Sequence, residues 1–256
     1  MDLGLQGKVA VITGASRGIG RSIALAFANE GARLCICARN SEGLNVVSKE
    51  LGQLGCEVEA VQLDVTTPEA ADKLIEVAVN SFGRVDALVN NVGGSVWSPF
   101  AEIDDEEWMH VLNLSFMSAV RVSRAVFPVM SERGGGSIVN ISSIFGRETG
   151  GPISYNASKA AMISMSSNLA IEAATHNIRV NSVAPGSIIF PGGSWERRQK
   201  EDPDKIAKFI DDNLPFGRFG NPEEVANVVT FLSSASSSWG TGTCINVDGG
   251  QSKSNL

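Results

Sequence analysis

Residues 13–20 read TGASRGIG, and this stretch decides the fold. An apolar, β-branched run precedes it at 8–13, and apolar residues at helical spacing follow it at 20–29. A glycine-rich turn between a strand and a helix lets backbone amides approach a pyrophosphate at the helix N-terminus, whereas an ordinary strand-to-helix turn is the alternative interpretation. We predict that the loop binds a dinucleotide through Gly14, Ser16, Arg17, Gly18, Ile19 and Gly20.

The same alternation of strand and helix continues through most of the chain. Apolar runs predict further strands at 33–38, 58–64, 85–90, 136–142, 178–184 and 244–247. Helical patterns lie between them at 44–54, from Thr67 and Pro68 to Phe82, at 105–130, at 154–175 and from Pro222 onward. Continuous apolar runs are typical of parallel strands buried on both faces. The sequence therefore predicts an α/β, single-domain Rossmann fold over residues 1–256, a doubly wound parallel sheet with helices on both faces.

One segment, residues 187–219, breaks the alternation. It begins with glycines and prolines, passes through a charged run at 195–204 and ends in Leu214, Pro215 and Phe216. Ligands of open α/β sheets bind beyond the carboxyl ends of the strands. An irregular insertion directly after the sixth strand is therefore expected to be a lid over the substrate.

Charge and composition exclude several classes of function. The chain carries 28 acidic and 21 basic residues, for a net charge of -7, without a long block of one sign. This pattern argues against a nucleic-acid surface and against a basic membrane-surface helix. No apolar stretch approaches the roughly 20 residues of a membrane span, and the N-terminus lacks a basic region followed by an apolar run. We expect a cytoplasmic protein whose partners are small molecules or copies of itself.

The cysteines do not suggest a metal site. Cys35 and Cys37 form a C-x-C pair within a predicted strand, and no second Cys or His pair lies nearby to complete a tetrahedral zinc site. We interpret them as buried thiols and expect no bound metal.

The residues at the ends of strands two and three indicate which dinucleotide binds. Arg39 lies 19 residues after Gly20, where an acid would grip the ribose of NAD, and Arg17 adds a second cation. A guanidinium matches a phosphate, so the cofactor is predicted to be NADP(H), preferred over NAD(H), with a solvated arginine as the alternative.

Asp64 ends strand three. Because Thr67 is expected to cap the next helix, Asp64 is free to accept a hydrogen bond from an adenine amino group. A simple turn aspartate is the competing interpretation.

Tyr155 and Lys159 are the candidate acid–base pair. They lie four residues apart in a helical pattern, so they project from one face a turn apart, and Tyr155 is the only tyrosine of the chain. An ammonium beside a phenol is expected to lower the pKa of the phenol and make it a usable proton donor and acceptor. Ser142 and Ser143 end strand five and are expected to face the same crevice.

With these motifs in place, the chain resembles the short-chain dehydrogenase/reductase family from about Leu5 to Gly250. The shared motifs are TGASRGIG, LDV at Leu63, NNVG at Asn90, the Asn of VLNLSF, NISS at Asn140, YNASK at Tyr155 and NSVAPG at Asn181. The resemblance implies a Rossmann fold, a nicotinamide cofactor and a homotetramer built on two long helices.

The resemblance also implies roles for individual residues. Tyr155 would be the general acid/base, Lys159 would hold the nicotinamide ribose and tune Tyr155, Ser143 would orient the substrate carbonyl, and Asn113 would support a water-linked proton relay. The remaining implied cofactor contacts are adenine at Asp64 and Val65, the adjoining ribose region at Asn91, and the nicotinamide carboxamide at Ile188.

Three departures from the family pattern matter. Val92 replaces an alanine in NNVG and is expected only to tighten packing behind the cofactor. The family's usual gap before the tyrosine would select Ser142, whereas the sequence SSIFG favours Ser143 and implies a one-residue deletion in the following loop. Phe190 stands where many members carry a threonine, which removes one expected cofactor hydrogen bond and places an aromatic near the nicotinamide.

Two classes of function compete at this point. The first is an NADP(H)-dependent oxidoreductase that interconverts a ketone and a secondary alcohol, and the second is a non-catalytic dinucleotide-binding sensor. The complete Asn, Ser, Tyr and Lys set favours the enzyme. The first substrate hypothesis is a 3-oxoacyl thioester, with a small hydroxylated ketone or polyol as the alternative. Three basic residues of the lid would meet a phosphate-bearing carrier or form a solvated helix face: Arg197, Arg198 and Lys200.

Overall fold

The computed structural model describes residues 2–254. Within this range the strands are β1 Val9–Thr13, β2 Arg33–Ala38, β3 Val58–Gln62, β4 Ala87–Asn90, β5 Gly136–Ile141, β6 Ile178–Pro185 and β7 Cys244–Val247. The helices are α1 Gly18–Asn29, α2 Ser41–Gln53, α3 Ala70–Phe82, α4 Asp105–Leu112, α5 Ser118–Glu132, α6 Ile153–Ala174, α7 Ser194–Glu201, α8 Pro203–Asn213 and α9 Pro222–Ser233.

All seven strands of the described chain form one parallel sheet in the order β3-β2-β1-β4-β5-β6-β7. One face packs under α1, α2 and α9, and the other packs under α3, α5 and α6. Alternate residues of β1 divide between the two cores: Ala10 and Ile12 face the first, and Val11 faces the second. The predicted doubly wound Rossmann fold is confirmed. The strand order reverses between β1 and β4, where such sheets form a ligand crevice.

Two predicted helices differ from those observed. Helix α3 begins at Ala70 and not at Thr67. Thr66 and Thr67 donate hydrogen bonds to Asp64 and form a turn with it, and the helix starts only after Pro68. The stretch at 105–130 is divided into α4 and α5 by a π-helical turn, Asn113–Met117. A π turn inserts one extra residue into the helical ladder and is frequent at functional sites.

The segment 187–219 is more regular than expected. Its charged run folds as α7 and α8, and Asp202 caps α8 by accepting a hydrogen bond from the Lys205 amide. Ile206, Leu214 and Phe219 form a small core of their own beneath these helices. The predicted irregular insertion is therefore a helical pair with its own apolar interior.

The helices between residues 2 and 254 include none that is long and apolar enough to cross a membrane. Cys35 and Cys37 are free thiols buried in the core, and burial raises the pKa of each to about 12. Both are protonated and inert at neutral pH.

Candidate active site

A cleft of about 950 Å³ opens at the carboxyl edge of the sheet. It gathers most of the residues predicted from the sequence, namely Gly14, Ser16, Arg17, Ile19, Gly20, Arg39, Asp64, Val65, Asn91, Ser143, Tyr155, Lys159 and Ile188. Two predicted residues, Gly18 and Asn113, do not line it. The cleft therefore joins the glycine loop to the candidate acid–base pair in one elongated space.

The glycine loop is held closely against the end of β4. Gly14 has a φ of +68°, which favours glycine, and a Cβ added at Gly20 would lie 2.3 Å from the Gly14 carbonyl oxygen. The side-chain amide of Asn91 donates to the carbonyl oxygens of Thr13 and Gly14, both at 3.1 Å. In this structure Asn91 thus positions the loop that the cofactor is expected to occupy.

Phe190 covers Gly18. A Cβ added at Gly18 would lie 2.7 Å from the nearest ring carbon of Phe190, so the ring rests directly on the glycine. The ring also lines the cleft, and its expected place near the nicotinamide stays a prediction.

The cationic end of the cleft contains two arginines, Arg17 and Arg39, and the carboxylate of Asp64 beside them. Arg39 is largely exposed, and its guanidinium lies 3.9 Å from the Asp64 carboxylate. Arg17 instead donates to the Gly192 carbonyl oxygen at 3.1 Å and so links the glycine loop to the segment 187–219. Arg39 is the cation left facing solvent at the position predicted for a 2′-phosphate.

Asp64 is less free than expected. Its Oδ1 accepts hydrogen bonds from both the amide and the hydroxyl of Thr66, at 3.0 and 2.7 Å. Burial tends to raise the pKa of Asp64, but these two hydrogen bonds and the neighbouring Arg39 lower it overall. The expectation that Thr67 caps the helix is wrong, because Asp64 organises this turn itself. Its Oδ2 remains on the side of Arg39.

The two serines at the end of β5 have different partners. Ser142 donates to the backbone carbonyl oxygen of Lys159 at 3.1 Å and is buried. Ser143 accepts from the Phe145 amide and is hydrogen-bonded to the Tyr155 side chain. Ser143 and Tyr155 therefore present their hydroxyls together, and Ser142 ties the strand to α6.

Lys159 is 3% exposed and is held by the end of β5. Its Nζ donates to the Ile141 carbonyl oxygen at 2.7 Å and lies 5.6 Å from the centroid of the Tyr155 ring. A Cβ added at Gly93 would come within 3.1 Å of this Nζ, so a small residue after β4 leaves room for the ammonium. The sequence analysis missed Gly93, although its place in NNVGG after a predicted strand was a usable signal.

The titration of this pair runs opposite to the expectation. Burial raises the pKa of Tyr155, which its hydrogen bond with Ser143 offsets only in part, and burial lowers the pKa of Lys159 to about 7. The cost of removing charges from water exceeds the attraction between an ammonium and a phenolate here. At neutral pH Tyr155 is therefore a protonated phenol, the form that donates a proton.

Asn113 lies behind the cleft at the π turn. Its amide nitrogen donates to the Thr66 carbonyl oxygen at 3.2 Å, and its Oδ1 accepts from Arg121 at 2.6 Å. The neighbouring Leu114 lines the cleft in its place. These contacts fix the turn between α4 and α5, and the proton-relay role of Asn113 stays a prediction.

Residues 2–254 contain no group of three or more His, Cys, Asp or Glu side chains that could hold a metal ion.

Comparison with protein families places the chain among known enzymes. Residues 14–252 match a family described as enoyl-(acyl carrier protein) reductase. A 3-oxoacyl-[acyl-carrier-protein] reductase of Thermotoga maritima is 40% identical over 247 residues, which cover 96% of this chain and 98% of the relative.

Solved structures agree with this placement. L-sorbose reductase from Gluconobacter frateurii, complexed with NADPH and L-sorbose, superposes with a TM-score of 0.93 at 38% identity, covering 99% of this chain and all of that chain. A 7α-hydroxysteroid dehydrogenase complexed with NADH and 7-oxo glycochenodeoxycholic acid gives 0.91 at 34% identity, with 100% and 98% covered. Together with the cleft and its Ser143, Tyr155 and Lys159, these matches show that the chain is an oxidoreductase of the short-chain dehydrogenase/reductase family.

Proposed function

We propose that this protein is an NADPH-dependent reductase that converts a ketone to a secondary alcohol through Ser143, Tyr155 and Lys159. The single observation that carries the proposal is the convergence of the Ser143 and Tyr155 hydroxyls beside a buried lysine, at one end of a cleft that starts at a glycine loop.

The residues present fit a dinucleotide. A Cβ at Gly14 or Gly20 would collide with the side-chain amide of Asn91, so only glycine allows the loop to pack this closely beside the cleft. The cleft then runs from the exposed Arg39 to the buried Lys159, which suits an extended molecule with an anionic end. Val65 would lie against the adenine and Ile188 against the carboxamide, and both line the cleft.

The chain's own residues divide the chemistry among them. When bound, the cofactor supplies the hydride that adds to the carbonyl carbon. Ser143 donates a hydrogen bond to the carbonyl oxygen and holds it beside Tyr155. Tyr155, protonated at neutral pH, delivers its proton to that oxygen as negative charge develops on it. Lys159, fixed by the Ile141 carbonyl, would hold the ribose, and the relay that would return a proton to Tyr155 through Asn113 and water stays a prediction.

The preference for NADPH over NADH rests on Arg39. Its guanidinium is exposed at the end of β2 and has one carboxylate neighbour, Asp64, at the long distance of 3.9 Å. A 2′-phosphate would form shorter, bidentate hydrogen bonds with the same group. The sorbose reductase structure with NADPH supports this preference, and the steroid dehydrogenase structure with NADH makes it a point to test.

Two substrate classes follow from different observations. The Thermotoga maritima relative favours a 3-oxoacyl thioester, whereas the sorbose reductase match favours a small hydroxylated ketone. The lid carries Trp195 and Phe209 stacked at 4.6 Å between ring centroids, and Trp195 reaches the cleft. An apolar wall of this kind suits the acyl chain better than a polyol, so we place the thioester first.

We further propose a cytoplasmic homotetramer. Exposed apolar side chains on the long helices support assembly, including Met109 on α4 and Ile171 on α6, which are 62% and 77% exposed. The four cysteines are free thiols, as is usual in the cytosol. Light scattering is expected to give about four times the chain mass, and a monomeric mass at micromolar concentration would contradict the assembly.

The activity is tested with a panel of ketones assayed by NADPH absorbance. We expect at least one 3-oxoacyl thioester or hydroxylated ketone to be reduced, with higher kcat/KM for NADPH than for NADH. Binding of NADPH without turnover of any ketone would instead support the non-catalytic sensor.

A further inference from the structure

Arg198 differs from the other basic residues of the lid. Lys200 pairs with Glu196 at 3.0 Å and Arg197 lies 4.0 Å from Glu201, so each already has a carboxylate on its own helix. Within the described chain, no carboxylate lies within 4.0 Å of the Arg198 guanidinium, and its nitrogens make no hydrogen bond. The sequence alone treated these three residues alike, and the structure separates them.

Two indole rings hold the Arg198 guanidinium instead. It lies 5.1 Å from the ring centroid of Trp195 and 5.7 Å from that of Trp97. Trp195 is fixed from behind by Phe209 and Phe219, at 4.6 and 5.0 Å between centroids. A guanidinium held against aromatic rings keeps the N–H groups at its edge available to an anion.

The Arg198 guanidinium lies next to the wall of the cleft, against the Trp195 ring. Trp195 lines the cleft, and Trp97 lies on the segment that continues from Gly93, which also lines the cleft and adjoins Lys159. Arg198 therefore contacts one ring of the cleft wall, Trp195, and one ring of the loop that follows β4, Trp97. Arg39 follows β2 and lies at the other end of the cleft from Lys159, so Arg198 is a separate positive charge.

We propose that Arg198 is a specificity-determining residue that binds an anionic group of the carbonyl substrate, a carboxylate or a phosphate remote from the reacting carbon. The inference rests on the proposed ketone reductase activity and names the class of substrate that activity favours. An unpaired guanidinium held in place before binding loses little entropy when it captures an oxyanion.

The test compares matched pairs of substrates that differ in charge. Acetoacetyl-coenzyme A is paired with acetoacetyl-N-acetylcysteamine, and 4-oxopentanoate with its methyl ester. For Arg198→Gln we expect KM for the anionic member to rise about 10- to 100-fold, with kcat within about twofold and KM for the neutral member within about twofold. A loss confined to the coenzyme A pair assigns a phosphate, and one confined to 4-oxopentanoate assigns a carboxylate.

Arg197→Gln is the matched control, since it removes a neighbouring charge that already has a partner, and it should behave as wild type. Arg198→Lys should recover part of the lost affinity. An equal rise in KM for both members of a pair would show that Arg198 only holds the lid against Trp97, and no change in either would also overturn the proposal.

A measurement on the wild type covers the case in which Arg198→Gln fails to fold. Raising salt from 0.05 to 0.5 M should raise KM for the anionic member more than for the neutral one, because salt screens an exposed charge pair. Equal salt dependence would overturn the proposal. Turnover of the neutral members by the wild type reports the reductase activity itself. If the wild type does not reduce them, that result contradicts the proposed function and not the role of Arg198.

Discussion

Lys159 and Arg39 are basic side chains at opposite ends of one cleft, and their surroundings differ. Lys159 is 3% exposed, bonded to the Ile141 carbonyl and fixed on a long helix. The Arg39 side chain is 65% exposed, follows the last residue of a strand and has a single distant carboxylate neighbour. The buried end of the cleft fixes geometry for proton transfer, whereas the exposed end offers charge to whatever docks there. Changes at the buried end should therefore affect turnover, and changes at the exposed end should affect binding.

The largest effect is expected at Tyr155. Tyr155→Phe keeps the packing of the ring but removes the proton that must reach the carbonyl oxygen, so kcat for reduction should fall about 10²- to 10⁴-fold. The NADPH dissociation constant, measured by fluorescence, should change less than about twofold. Comparable losses in binding and turnover would show that this end of the cleft also serves cofactor affinity.

The two serines give the next largest contrast. Ser143→Ala removes a donor aimed at the developing oxyanion and should lower kcat about 10²- to 10³-fold. Ser142→Ala removes only the hydrogen bond to the Lys159 carbonyl and should cost about 1 kcal/mol of stability with little change in kcat. Steady-state kinetics and thermal unfolding of both variants measure these effects. A larger loss of kcat in Ser142→Ala than in Ser143→Ala would assign the substrate contact to Ser142.

At the exposed end, Arg39→Ala should act on affinity. Loss of charge-assisted hydrogen bonds to a 2′-phosphate should raise the NADPH dissociation constant about 10- to 150-fold and leave that of NADH nearly unchanged. Arg21 is the control, because it also lines the cleft but is paired bidentately with Glu50. If Arg39→Ala weakened both cofactors equally, its charge would not read the 2′-phosphate.

The smallest effect is a pH dependence of stability that comes from Lys159. In the folded protein Lys159 loses its proton near pH 7, whereas in the unfolded chain it keeps it until about pH 10.5. The unfolded state therefore binds more protons in this window, and stability rises with pH. Relative to Lys159→Met, the unfolding free energy of the wild type should increase by about 1 kcal/mol per pH unit between pH 7.5 and 9.

Denaturant titrations of both proteins at each pH measure this difference, and the shared buried cysteines cancel from it. A difference that is flat over the window would show that the Lys159 pKa is not depressed in the folded protein.

Local patterns predicted the buried end of the cleft well. Tyr155 and Lys159 lie on one helical face because their spacing of four residues fixes it. Gly14 lies between β1 and α1, and Gly18 and Gly20 lie in the first turn of α1, which begins two residues earlier than predicted. Thr67 was wrongly assigned as the helix cap because capping propensity considers that residue alone. In the structure the Thr66 amide donates to the Asp64 carboxylate, and this turn delays the start of α3. The approach of Trp97 to Arg198 depends on tertiary structure, and no pattern in the sequence predicts it.

The pKa values were also beyond a sequence argument. Spacing placed an ammonium beside a phenol, but the depth at which both are buried determines the direction of each shift.

The central claim is that this cleft transfers a hydride from NADPH to a carbonyl carbon while Tyr155 supplies the proton. It is tested most directly by incubating the wild type with a ketone and NADPH carrying deuterium at the transferred position, and analysing the alcohol by mass spectrometry. We predict one deuterium on the carbinol carbon with the wild type and almost no alcohol with Tyr155→Phe. Alcohol without deuterium, or wild-type yields of labelled alcohol from Tyr155→Phe, would contradict the account.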